Sequence, residues 1–146
     1  MSTETNKAIV RRIGEQVWNE RRRELFKEFY VENAVLHSTG APSGVGSGLG
    51  LEGIKTAYDR LLNAFPDIQI TTDDIIAEGD KVVSRWTLRG THQGELRGIP
   101  ATGKQVTQSG MSIFRLDNAR IVEVWVLADN MSLMQQLGAI PTPEEV

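Results

Sequence analysis

From Ile54 onward the apolar residues Ile54, Ala57, Tyr58, Leu61, Leu62 and Phe65 fall at i, i+3, i+4, i+7, i+8 and i+11. That spacing puts them on one face of an amphipathic α-helix. Pro66 ends it, because proline disfavours the helical region for the residue before it. Ile9, Ile13 and Val17 recur every four residues and predict a first helix, with Thr5 as its expected N-cap. Leu25, Phe26, Phe29 and Tyr30 share one side of a second helical stretch. Beyond Pro66 the pattern changes. Residues 67–79, 82–92, 106–116 and 121–129 read as strands, joined by "EGDK", "GELRGIPATGKQ" and "DNAR". A shorter strand, "NAVLHSTG", precedes "GAPSGVGSGLG", residues 40–50, which cannot pack a core and is expected to be a mobile loop. A short helix, "NMSLMQQLG", stops at Gly138 with Pro141 beyond it. Helices first and an antiparallel meander after them predict an α+β domain spanning residues 1–146, with helices on one face of the sheet.

The last strand, "IVEVWVLAD", ends on a carboxylate. A buried, unpaired carboxylate is costly, so Asp129 needs an explanation. In a regular strand Ile121, Glu123, Trp125, Leu127 and Asp129 share one face. Val122, Val124, Val126 and Ala128 share the other, as a pure packing surface. The first face joins aromatic and aliphatic surface to carboxylates, the composition of a small-molecule pocket. A carboxyl there is pushed toward its neutral form by desolvation and moves protons near neutral pH. The alternative is structural: Asp129 or Asn130 caps the helix that begins near Met131.

Composition narrows the chemistry. The net charge of −3 argues against a nucleic-acid binder. There is no Cys, which excludes disulfides and thiolate chemistry, and only two histidines, so no multi-histidine metal site is expected. The N-terminus lacks a secretory pattern and no apolar run approaches a membrane span, so the expected location is the cytoplasm. "GLGLEG", Gly48 to Gly53, matches G-x-G-x-x-G, but no strand feeds into it. "GIPATGK", Gly98 to Lys104, matches the start of a phosphate loop, but Gln105 follows and a strand, not a helix, comes next. Both read as turn and loop glycines. His37 and His92 stand at strand ends, where a hydrogen-bonded rim residue is the ordinary reading and proton transfer the functional one. Trp86 and Trp125 lie on strands, as core residues or as pocket walls. What remains is acid–base chemistry, or plain binding, in an apolar pocket.

The segments "GLEGIK", "LLNAFPDIQI", "EGDKVVSRWTLRGTHQGELRGIPATGKQV" and "IFRLDNARIVEVWVLADNMSLMQQLG" resemble, in order, the SnoaL-like polyketide cyclase family, from roughly residue 8 to residue 140. The family's "PPTG" stands here as "PATG", and its usual turn glycine before the last strand as Ala119. The resemblance implies a nuclear transport factor 2-like fold: a cone-shaped curved antiparallel sheet wrapped by N-terminal helices around an apolar cavity. It implies a homodimer formed through the outer sheet face. It also implies cofactor-free and metal-free ring closure of a polyketide ester by intramolecular aldol condensation. Asp129 would be the acid/base, with His92 or His37 hydrogen-bonding a substrate oxygen. Trp86, Trp125, Phe65, Met111, Leu127, Tyr58 and Ser112 are the expected substrate contacts, Ser112 standing where a polar pocket residue is expected. Two other functions suit the same fold: a non-catalytic small-molecule binding protein, and an isomerase or hydratase of a terpenoid- or steroid-like substrate.

Overall fold

A computed structural model of the chain describes residues 2–38 and 50–141. The predicted loop at 40–50 therefore lies, but for Gly50, outside the described residues. The elements run α1 (Thr3–Arg12), α2 (Phe26–Phe29), β1 (Tyr30–Ser38), α3 (Gly50–Ala64), β2 (Gln69–Glu78), β3 (Lys81–Thr91), β4 (Gln105–Asp117), β5 (Arg120–Ala128) and α4 (Asn130–Gln136). Helix α1 continues into a π-helical stretch, Ile13–Asn19. Its N-cap is Ser2 rather than Thr5: Ser2 Oγ accepts from the Thr5 amide at 3.1 Å, and the first helical hydrogen bond, from the Asn6 amide, ends on the Ser2 carbonyl. The second helical stretch is shorter than its apolar spacing suggests, because Tyr30 is already extended and opens β1. No described helix is long and apolar enough to cross a membrane.

The strand order is β1-β5-β4-β3-β2. Strands β2 to β5 form the antiparallel meander, and α3, β2, β3, β4 and β5 follow the predicted segments closely. Strand β1 departs from expectation: it pairs with β5 in parallel, so the curved sheet is mixed rather than all antiparallel. Two-residue hairpins impose antiparallel pairing, whereas residues 39–119 separate β1 from β5 and leave its direction free. The β4–β5 turn holds Asn118 and Ala119 at φ 50° and 64°, the left-handed pair such a hairpin requires.

A bulge decides which way β5 faces. Arg115 pairs with Glu123, but Leu116 pairs with Ile121, leaving Val122 as an extra residue. Ile121 and Val124 are consequently both buried although they are three apart. From there on, Val124 and Val126 point inward and Glu123, Trp125 and Leu127 outward. The parity read from the sequence is thus inverted beyond Val122.

Two amide side chains fasten helices to the sheet by standing in for a neighbouring strand. Asn19 donates to the Ile70 carbonyl at 2.8 Å and accepts from the Ile70 amide at 2.7 Å, on edge strand β2. Gln136 of α4 does the same with Thr107 of β4, at 2.7 and 2.9 Å. The main core lies between the sheet and α1 and α3. A second core gathers Phe65, Ile68, Leu88, Val106, Leu133 and Leu137 under α4.

Candidate functional site

The inner face of the sheet and the helices packed on it leave a cavity of about 220 Å³. From the strands, Leu36, Thr72, Ser84, Trp86, Ser112 and Val126 face it; from the helical side, Ile13, Trp18, Phe26, Ile54 and Tyr58 do. These positions follow from alternation: β3 sends Val82, Ser84, Trp86 and Leu88 inward, and β4 sends Gln108, Gly110, Ser112 and Phe114. Ser84 and Ser112 are register partners, as are Trp86 and Gly110. The indole of Trp86 lies across Gly110, where an added Cβ would stand 2.3 Å from a ring carbon. Its Nε1–H donates to Ser112 Oγ at 3.0 Å.

No Asp, Glu, His, Lys or Arg is among the described residues that line this cavity. Its ionisable side chains are the phenols of Tyr30 and Tyr58, both held protonated because burial pushes them up from their ordinary value. Tyr58 donates its hydroxyl to the Val17 carbonyl at 2.7 Å. The site therefore offers apolar walls and a few neutral hydrogen-bonding groups, which suit orientation of an uncharged organic molecule.

The profile of the SnoaL-like polyketide cyclase family matches residues 8–137. The chain belongs to this family. Solved structures agree. A proposed polyketide cyclase from Acidithiobacillus ferrooxidans is 31% identical, with 95% of this chain and 99% of that one covered and a TM-score of 0.81. IdmH, a proposed polyketide cyclase from Streptomyces antibioticus, is 30% identical over 91% of this chain and 98% of its own, with a TM-score of 0.80. AclR, a proposed hydroxylase from Streptomyces galilaeus, is 27% identical over 97% of this chain and 85% of its own, with a TM-score of 0.82. No curated protein matches the sequence.

Within this SnoaL-like protein the residues singled out from sequence fall in four places. Trp86, Tyr58 and Ser112 line the cavity. Phe65 is fully buried in the second core instead, because it follows the end of α3 and turns under β3 rather than toward the cavity. Met111, Trp125 and Leu127 lie on the outer sheet face, as the bulge in β5 and the alternation of β4 require. His37 joins them there, since Leu36 and Ser38 take the inward positions of β1.

The three catalytic candidates do not converge. His37 stacks on Trp125 with ring centroids 5.3 Å apart, and its Nε2 bonds Glu123 Oε2 at 2.7 Å. Arg115 donates to the other carboxylate oxygen at 3.1 Å. The hydrogen bond from His37, then that from Arg115, hold the Glu123 carboxyl below the usual range. His92 is fully buried against Phe65, with ring centroids 5.6 Å apart. Its Nδ1 accepts from the Thr102 amide at 3.2 Å, and its backbone bonds Gly103 and Lys104, so it pins the connection between β3 and β4. That connection runs straight into β4, which leaves "GIPATGK" without the helix a phosphate loop needs. Asp129 is exposed at the start of α4, where Oδ1 accepts from the Ser132 amide at 3.0 Å: it is the N-cap.

Sequence reasoning passed over Ser38, Thr72, Ser84, Val124 and Val126. For Ser84 the signal was present: a small polar residue in the inward row of a strand whose other inward positions are bulky. Among the described residues no group of three or more His, Asp or Glu could hold a metal ion.

Proposed function

We propose that this SnoaL-like protein takes a small, uncharged organic molecule into the cavity inside its curved sheet and orients it there by hydrogen bonds to neutral groups. The observation that carries this reading is the lining: apolar walls, the hydroxyls of Ser84 and Ser112 on register-paired positions, and no charged side chain among the described residues. A second reading adds chemistry. In it, Asp129 moves a proton next to a substrate carbonyl, and the polyketide ester closes a ring by intramolecular aldol condensation, with His92 or His37 holding an oxygen. Family membership and the proposed cyclases among its neighbours favour it. The capping role and exposure of Asp129 favour binding alone.

Asp129→Asn separates the two, because asparagine caps helices as well as aspartate does. The binding reading expects unchanged unfolding midpoints, unchanged affinity for 2-naphthol, and no ring closure of an aromatic polyketide ester by either protein. The cyclase reading expects wild-type turnover, and a loss of about a hundredfold or more in Asp129→Asn. Turnover that survives the substitution would remove Asp129 from the chemistry.

The outer face bears on assembly. Met111, Ile113 and Leu127 are 49%, 39% and 62% exposed and adjoin Trp125. An apolar sheet face of this kind marks an interaction surface, and we propose that a second copy of the chain covers it. Leu127→Glu is then expected to convert a dimer to a monomer in analytical ultracentrifugation. A wild-type monomer, or a dimer indifferent to Leu127→Glu, would overturn the assignment.

A further inference from the structure

Trp86 is one wall of the cavity. Two features fix its ring on the inner face of the sheet: Gly110 beneath it has no side chain, and Ser112 accepts its N–H at 3.0 Å. The ring lines the cavity, whose volume is about 220 Å³, and packs against the second core on its other side. Sites for drug-sized ligands run from about 300 to 1,000 Å³. A cavity of about 220 Å³ lies below that range, a size that favours a one- or two-ring molecule over a four-ring one.

The polar groups define the other half of the preference. Ser112 uses one lone pair on the indole N–H, and its own hydroxyl proton remains to donate. Ser84, its partner across the ladder, adds a second hydroxyl to the same patch. An anion buried here would meet no cation among the described lining residues, and desolvating an unpaired charge is costly.

The geometry points to Trp86 as the residue that selects ligand size, and to a neutral one- or two-ring molecule, with a carbonyl or hydroxyl oxygen held at Ser112, as the ligand. This inference rests on the cavity being the binding site.

The test follows the indole N–H resonance of Trp86, one of three tryptophans, assigned with Trp86→Phe. Three probes are titrated: 2-naphthol, its anionic counterpart 2-naphthoate, and testosterone as a neutral four-ring molecule. In the wild type 2-naphthol is expected to shift the resonance saturably, and the other two to bind at least about tenfold more weakly, the anion for want of a partner and the steroid for want of room. In Trp86→Leu, followed by calorimetry, testosterone is expected to gain about tenfold while 2-naphthol does not, since the steroid alone needs the volume released. If that variant fails to fold, Trp86→Phe is expected to give the same direction with a smaller gain. Testosterone matching 2-naphthol in the wild type would overturn size selection and leave the site standing. Equal binding of 2-naphthoate would overturn the neutrality. Failure of all three probes to shift the resonance or to bind either protein would overturn the cavity reading itself.

Discussion

Replacing Phe65 with alanine is expected to destabilise the protein by about 3–5 kcal/mol, the range for deleting a fully buried phenylalanine ring. Phe65 is 0% exposed and lies at the centre of the second core, among Ile68, Leu88, Val106, Leu133 and Leu137. The site is poorly placed to collapse onto the hole. On one side the backbone at Gly90 approaches so closely that a Cβ there would sit 3.0 Å from Phe65 Cβ. On another stands His92, whose buried Nε2 has no partner among the described residues. Removing the ring leaves the buried imidazole of His92 beside a void and loosens the β3–β4 connection that His92 pins. Urea unfolding should show a lower midpoint with an unchanged slope. A cost below about 1 kcal/mol would mean that α4 slides inward and fills the gap.

How far the fold could be read from sequence depends on the range over which each signal acts. Helix α3 was legible as far as Ala64, one residue short of the predicted Phe65, because its 3.6-residue period and the proline near its end are local. The meander strands were legible for the same reason: alternation and turn residues sit within a few positions of one another. The capping of α1 by Ser2 rather than Thr5 was a three-residue ambiguity between two good caps. The parallel pairing of β1 was not legible, since nothing near residues 30–38 encodes which strand lies beside them. The bulge at Val122 was the costly omission. It is one residue long and is defined against the register of β4, so a single strand read alone cannot show it. It moved Trp125 and Leu127 from the expected pocket wall to the outer face. For Asp129, helix capping and a pocket acid were both legible, and only the position of α4 distinguishes them. Trp86 and Ser112 line the cavity in keeping with plain strand alternation, because neither β3 nor the central part of β4 carries a bulge.

Gly110→Ala is the substitution through which the cavity and the stability of the sheet are tied together. The new Cβ would lie 2.3 and 2.5 Å from two carbons of the Trp86 ring and 2.9 Å from the Leu127 carbonyl oxygen. The carbonyl belongs to the β4–β5 ladder and cannot retreat cheaply, so the indole must move, and the space open to it is the cavity. Overpacking of this kind costs about 1–3 kcal/mol. Tearing the indole N–H from Ser112 adds about 1 kcal/mol. The expected total is about 2–4 kcal/mol, together with loss of 2-naphthol binding as the displaced ring fills its place. The same argument predicts coupling. With Trp86→Leu already in place, the alanine methyl meets a shorter, flexible side chain, and Gly110→Ala should then cost less by about 1–3 kcal/mol, the size of interaction energy that contacting residues show. Chemical denaturation of the wild type, both single variants and the double variant measures that term directly. A cycle that is additive within about 0.5 kcal/mol would mean that the strain of Gly110→Ala falls on the backbone of β5 rather than on Trp86. The glycine would then guard the strand ladder, and the position of the indole would have to be held by Ser112 alone.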